Sequence, residues 1–255
     1  MRIVVKVGTT TLAHSTGNLN IRRVEDLCKV LSDLKNAGND VLLVSSGAIG
    51  MGVGKLSLSE KPDDIPGKQA AAAVGQCELM YIYDKLFSEY NHVVAQLLIT
   101  GDDVQNESRF QNFSNTIHRL IDMKTLPIIN ENDTVSVEEI RIGDNDTLGA
   151  IVAKTVNADL LIILTDTDGL YTADPRVDPN ASLIPEVEEI TPELMELGGG
   201  SGTKQGTGGM STKLSAAQIA TEAGVTTVII NGQFPETIYN VVEDKPFTGT
   251  RFLSH

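Results

Sequence analysis

Residues 40–52, Asp-Val-Leu-Leu-Val-Ser-Ser-Gly-Ala-Ile-Gly-Met-Gly, set a short apolar run directly before a cluster of serine and glycine. The apolar residues are continuous and do not alternate with polar ones, so Asp40–Ser45 reads as a strand buried on both faces. The Ser-Ser-Gly-Ala that follows reads as a tight turn of small residues, with a helix starting there.

Working outward, the same kind of run recurs at Ile3–Val7, Val93–Ile99, Leu126–Asn130, Leu160–Leu164 and Thr226–Ile230. Helical spacing fills the gaps. Arg22–Ala37 carries Val24, Leu27, Val30, Leu31 and Leu34 on one stripe and is stopped by Gly38. Gly67–Tyr90, Ser108–Lys124, Leu148–Asn157 and Lys213–Ala223 are the other predicted helices. This alternation predicts an α/β fold with an open, mainly parallel, doubly wound sheet and helices on both faces. Ligands of such sheets bind at the carboxyl ends of the strands. The polar stretch Ser57–Pro66 and the glycine-rich stretch Gly198–Gly209 read as loops. Alternation continues across both, so residues 1–255 are read as a single domain.

The chain has 255 residues, 41% of them hydrophobic, and a formal net charge of -14. That charge opposes nucleic acid and anionic membranes as partners, although solubility alone would also account for it. With 4% aromatic residues and no Trp, a base-stacking surface is not expected. A phosphate bound here must rely on a few local lysines and backbone N–H groups. Cys28 and Cys77 match no metal spacing and are expected to be two buried, reduced thiols. The amino-terminal run is too short for a signal peptide or a membrane span, so a cytoplasmic protein is expected.

Five segments concentrate polar chemistry near strand ends. Lys6 stands at the end of the first strand, before Gly8-Thr9-Thr10, where an ammonium and turn N–H groups suit a phosphate. A snorkelling lysine is the plain structural alternative. Ser45–Gly52 would let backbone approach a ligand closely. It matches neither a dinucleotide fingerprint nor a P-loop. Asn130-Glu131-Asn132-Asp133 and Gly143-Asp144-Asn145-Asp146 could grip an ammonium and carboxylate oxygens. Turn and N-cap preferences would explain either cluster without a ligand. Thr165-Asp166 ends the fifth run. Gly206–Lys213 delivers a lysine to a helix start, where dipole, N–H groups and ammonium all favour a phosphate.

With these residues in view, KVGTTTL (6–12), VSSGAIGMG (44–52), PIINENDTV (127–135), RIGDNDTLGA (141–150), LTDTDGLYTADPR (164–176) and GTGGMSTKLSAA (206–217) resemble the signature segments of the amino acid kinase family, in its order. INEND and GDND point to the members that act on glutamate. The resemblance implies a three-layer αβα sandwich. It also implies ATP-dependent phosphorylation of the side-chain carboxylate of L-glutamate, with ATP and Mg²⁺, in proline biosynthesis. Lys6 would contact the transferring phosphoryl and Lys213 the ATP phosphates, with Asp146 orienting both. Ser46, Gly47, Asp133 and Asn145 would hold glutamate. Thr165, Asp166, Thr207, Gly208, Gly209, Met210, Ser211, Thr212 and Lys213 would line the nucleotide site, so the amino-terminal half would serve the substrate and the carboxy-terminal half the nucleotide. No protein-only metal cage is expected.

Proline as feedback inhibitor, a second copy of the chain in a homo-oligomer and a glutamyl phosphate reductase are the further partners expected. Many family members continue into a small carboxy-terminal domain called PUA. This chain stops shortly after Gly249-Thr250-Arg251-Phe252, so that domain is expected to be missing. Asp146 could instead be only a helix N-cap; as the organiser of two lysines, its removal is expected to abolish activity and leave folding intact.

Overall fold

The computed structural model describes residues 1–14, 18–136, 144–198 and 209–254. In chain order the elements are β1 (Arg2–Val7), α1 (Thr9–Leu12), α2 (Ile21–Asn36), β2 (Asp40–Ser45), α3 (Ala48–Lys55), α4 (Ile65–Ser88), β3 (Val94–Ile99), α5 (Gly101–Gln105) and α6 (Glu107–Asp122). They continue with β4 (Leu126–Glu131), α7 (Asn145–Thr155), β5 (Leu160–Thr165), β6 (Glu186–Val187), α8 (Pro192–Gly198), α9 (Met210–Thr221), β7 (Thr226–Asn231), α10 (Thr237–Val242) and β8 (Thr250–Phe252).

Among the described residues the strands form one eight-stranded sheet in the order β3-β4-β2-β1-β5-β7-β8-β6. Every pairing is parallel except β7 with β8. The carboxyl ends of β1, β2, β4, β5 and β7 therefore share one edge of the sheet, and the polar segments follow them there. The central strand β1 shows why its run of apolar residues is unbroken. Ile3, Val5 and Val7 pack into a core shared with α2, α4 and α10, while Val4 packs into the opposite core with α6, α7 and α9. Both faces are covered, giving three layers: helices, sheet, helices. Each core element is apolar where it meets the sheet, which is the dominant stabilising term of such a fold.

Helix boundaries follow their caps. Asn20, Asp64 and Asn106 accept backbone N–H bonds at the starts of α2, α4 and α6. Pro66 lies inside the first turn of α4, so the helix begins two residues before the expected Gly67. Gly38, at φ +93°, ends α2 in the left-handed conformation that glycine adopts most readily. One expectation about the thiols fails. Cys28 is buried, but Cys77 lies on the outer face of α4 and is exposed. Its neighbour Gln76 takes the inward position. No helix among the described residues is long and apolar enough to cross a membrane.

Candidate active site

Lys6 alternates with Val5 and Val7 on β1, so its side chain falls on the α7 face, and its stem packs along Gly149 of that helix. Asp146 lies in the first turn of α7. Lys213 is the fourth residue of α9, which packs beside α7. The three meet. Lys6 Nζ lies 2.6 Å from Asp146 Oδ1 as a close ion pair, and Lys213 Nζ donates to Asp146 Oδ2 at 3.0 Å. Thr212 Oγ1 lies 3.3 Å from the same oxygen and 2.8 Å from the Gly209 carbonyl.

Asp146 is fully buried, and both lysines are only 6% exposed. Burial alone would raise the Asp146 carboxyl, but the ammonium groups of Lys6 and Lys213 overcome it and hold its pKa below the ordinary carboxylate value. The two ammonium groups and the carboxylate by themselves sum to one positive charge, inside a chain of net charge -14. An incoming anion would find that charge at short range and in a low dielectric. Gly8 passes directly beside the Lys6 ammonium, with Nζ 3.5 Å from where a Cβ would stand. At the start of α9 the cap residue Gly209 offers no side-chain hydrogen bond, so its first-turn N–H groups gain no partner from the cap.

The cap of α7 is Asp144, whose Oδ1 accepts from Thr147 N at 2.9 Å. The capping alternative weighed for Asp146 therefore belongs to its neighbour two residues back. Asp146 is committed to the lysines.

Asn145, between them, begins a second and uncharged cluster. Its Nδ2 donates to Ser46 Oγ at 2.8 Å and to Asn130 Oδ1 at 2.9 Å, with the Ser45 carbonyl at 3.5 Å. Asn130 Nδ2 donates in turn to Gln76 Oε1 at 2.9 Å. Ser46 and Gly47 form the turn before α3, with Gly47 at φ +105°. The nearby glycines serve packing as well as any ligand. A Cβ on Gly52 would lie 1.8 Å from the Ala71 carbonyl oxygen, and one on Gly75 would lie 1.7 Å from that of Ala48. Glycine alone lets α3 and α4 touch backbone to backbone, and this contact carries Gln76 to the Ser46-Gly47 turn.

Ser46, Gly47 and Asn145 thus come together beside Lys6, Asp146 and Lys213. Asp133 sits half-buried in the turn after β4. Thr165 ends β5, buried, with Oγ1 3.2 Å from the exposed Asp166 carboxylate. Thr165, Asp166, Gly209, Met210, Ser211 and Thr212 all lie along the same sheet edge. Thr207 and Gly208 lie outside the described residues.

Gln76 escaped the sequence reading, whereas Asn130 already stood in the polar cluster Asn130–Asp133. Gln76 carried a signal that could have found it, being a polar residue on the otherwise apolar stripe Ala72–Leu79–Tyr83 of α4. Also passed over was a cleft of about 590 Å³ beyond β5 and β7, lined by Asp168, Asn231, Phe234, Thr237, Asn240 and Phe247. Asn231 Nδ2 donates to Asp168 Oδ1 there at 2.8 Å.

Solved structures share this architecture. The carbamate kinase from Giardia lamblia bound to AMP-PNP superposes with a TM-score of 0.70, covering 100% of this chain and 98% of that one at 17% identity. The UMP kinase from Ureaplasma parvum gives 0.67, covering 99% and 98% at 18% identity. Sequence relatives are much nearer. The glutamate 5-kinase of Clostridium perfringens is 52% identical over 99% of this chain and 95% of its own length. That of Clostridium tetani is 54% identical over 98% and 93%. The glutamate 5-kinase of Caldanaerobacter subterraneus is 52% identical over 99% of this chain and 68% of its own length. The model of the amino acid kinase family matches residues 1–231. The chain belongs to the amino acid kinase family.

Proposed function

We propose that the chain phosphorylates the side-chain carboxylate of L-glutamate with ATP, giving glutamyl 5-phosphate and ADP, the first step of proline biosynthesis. Glutamate 5-kinases more than half identical over nearly the whole chain support the reaction. The observation that carries the chemistry is the buried Lys6–Asp146–Lys213 cluster with its one surplus positive charge.

Glutamate's side chain, with an ordinary pKa of about 4.3, is already ionised at neutral pH. One of its oxygens attacks the γ-phosphorus, the bond from that phosphorus to the β,γ-bridging oxygen breaks, and ADP leaves with the electron pair. No proton needs to move, so no general base is required. The task is to bring an anion against a polyanion and neutralise the charge in transfer, by positioning and electrostatics. In this reading Lys6 meets the transferring phosphoryl and Lys213 the ATP phosphates. Asp146 keeps both ammonium groups aimed at one point. Ser46, Gly47, Asp133 and Asn145 hold the acceptor. Thr165, Asp166 and residues 207–213 hold the nucleotide, so the two halves of a single domain divide the substrates.

Among the described residues no group of three ligating side chains could hold a metal ion. Mg²⁺ typically keeps waters and binds through substrate phosphates, so here it would arrive on ATP and neutralise phosphate charge. Asp144, whose Oδ2 is buried without a hydrogen-bond partner among the described residues, is the carboxylate suited to its outer shell. Proline shares glutamate's α-carboxylate and α-nitrogen and is the inhibitor this reading implies. A reductase that consumes the unstable acyl phosphate, and a second copy of the chain, are further partners of the proposal.

The test is hydroxamate formation from ATP, Mg²⁺, hydroxylamine and each acid in turn. L-Glutamate should yield hydroxamate, at a rate lowered by proline, whereas aspartate, acetylglutamate and carbamate should not release ADP above background. ADP release with one of those acids and none with glutamate would overturn the assignment.

A further inference from the structure

The amides beside the Ser46-Gly47 turn have a fixed polarity, and a single backbone group sets it. Glu131 N donates to Asn130 Oδ1 at 2.9 Å. A backbone N–H can only donate, so the Asn130 amide has one possible orientation, with its oxygen toward Glu131 N. Asn130 Nδ2 must then donate, and its neighbour Gln76 must present Oε1, as it does at 2.9 Å. Asn130 Oδ1 also takes a hydrogen from Asn145, which must present Nδ2, as it does at 2.9 Å. Each outer amide therefore has its other end defined. Gln76 turns away an NH₂ group and Asn145 turns away a carbonyl oxygen.

Both ends are buried and unsatisfied. Gln76 is 7% exposed, and neither Gln76 Nε2 nor Asn145 Oδ1 has a hydrogen-bond partner among the described residues. Buried side-chain amides are ordinarily paired, so an orphan donor and an orphan acceptor on one relay form half of a recognition site. Their signs match an α-amino acid, whose carboxylate accepts and whose ammonium donates.

We propose that Gln76 is a specificity-determining residue that binds the α-carboxylate of the acceptor through Nε2. Asn145 Oδ1 takes the α-ammonium, and Asn130 is the positioning residue that holds both amides in register. The inference rests on the glutamate reading above and adds to it which part of the zwitterion each amide recognises. The backbone contact of Gly75 with Ala48 keeps Gln76 against the turn.

Gln76→Glu keeps the shape of the side chain and replaces the donor with a carboxylate. Its effect is read with two acceptors, L-glutamate and L-glutamate α-amide, which share the reacting side-chain carboxylate and differ only at the α-position. In the unaltered protein glutamate should be strongly preferred. In Gln76→Glu the KM for glutamate should rise about 30-fold or more, the size expected for loss of a hydrogen bond to a charged group. The KM for the α-amide should rise less, because its NH₂ can donate to the new carboxylate. The preference for glutamate then falls by about tenfold or more, with the KM for ATP within about twofold. Gln76→Met, which has no donor and no charge, should raise the glutamate KM without moving preference toward the amide. If Gln76→Glu does not fold, a rise in the glutamate KM of Gln76→Met with the KM for ATP within about twofold decides the matter.

Equal rises for both acceptors in Gln76→Glu, or an unchanged glutamate KM in either variant, would overturn the assignment and leave the reaction standing. An unaltered protein that turns over neither acceptor would sink the reaction and this inference with it.

Discussion

Asn145 and Asp146 are consecutive residues in the first turn of α7, yet they serve clusters of opposite character. Asn145 belongs to a relay of neutral hydrogen bonds drawn from β4, α4 and the turn after β2. Asp146 belongs to a knot of three full charges drawn from β1, α7 and α9. The neutral relay leaves two polar atoms unpaired among the described residues, so in the proposed reading it discriminates: a ligand that fails to satisfy them leaves buried groups without partners. The charged knot has little shape to discriminate with. What it offers is a strong, preorganised field where negative charge is transferred. In the proposed reading a single residue step along α7 separates choosing the acceptor from moving the phosphoryl, and KM and kcat should separate in the same way.

The charged side should give the largest effects. Lys6→Ala and Lys213→Ala should each lower kcat by about 10³-fold or more, as expected for groups that stabilise charge in phosphoryl transfer, with a much smaller change in glutamate KM. Steady-state kinetics with both substrates varied would check it. A lysine variant that kept kcat and lost only glutamate affinity would break the division between the two clusters.

Asp146→Asn should lose activity on a similar scale, and it should also lose stability, contrary to the reading from sequence. Removing the carboxylate leaves two nearly buried ammonium groups facing each other, and breaking a buried pair in this way costs about 3–5 kcal/mol. The acid limb of the stability curve carries the same information. The Asp146 carboxyl titrates below its ordinary value in the folded protein. Its contribution is therefore present above the unfolded pKa of about 3.9 and is lost as pH falls through the lower folded value. Urea unfolding should show the variant less stable at neutral pH, with the difference from the unaltered protein shrinking below about pH 4. A difference that stayed constant into acid would mean that the carboxylate is not what holds the lysines.

The long strands were legible because each is an unbroken apolar run, and burial on both faces requires such a run. β6 and β8 were not, since two or three residues show no period, and β8 is built from Thr250-Arg251-Phe252, whose pairing partners lie far away in sequence. The short helices α1, α5, α8 and α10 escaped for the same reason. Lys6 and Lys213 stood out as ammonium groups at strand and helix ends, but nothing local says that residues 207 positions apart share one carboxylate. Only the family resemblance placed them together. Choosing between Asp144 and Asp146 as the cap of α7 needed the true start of the helix, and the predicted start at Leu148 was three residues late. Gln76 offered only one signal, its polarity on an apolar stripe. Just beyond the alanines 70–73 of a long helix it carries no turn chemistry and no charge, and its orientation depends on a backbone N–H at Glu131.

The neutral cluster should also give the smallest effect, because the relay is redundant at one point. Ser46→Ala removes the acceptor at 2.8 Å from Asn145 Nδ2 but leaves Asn130 Oδ1 at 2.9 Å. The amide should therefore keep its orientation, held through Asn130 by the backbone of Glu131. Losing the hydroxyl itself removes one neutral contact available to the acceptor, so glutamate KM should rise only about three- to tenfold, with kcat within about twofold. Thermal unfolding should shift by no more than about 1 kcal/mol in stability, the usual net value of one neutral hydrogen bond. A loss of kcat as deep as in the lysine variants would mean that Ser46 works with the charged knot, and the boundary between the clusters would then run through Asn145 instead of beside it.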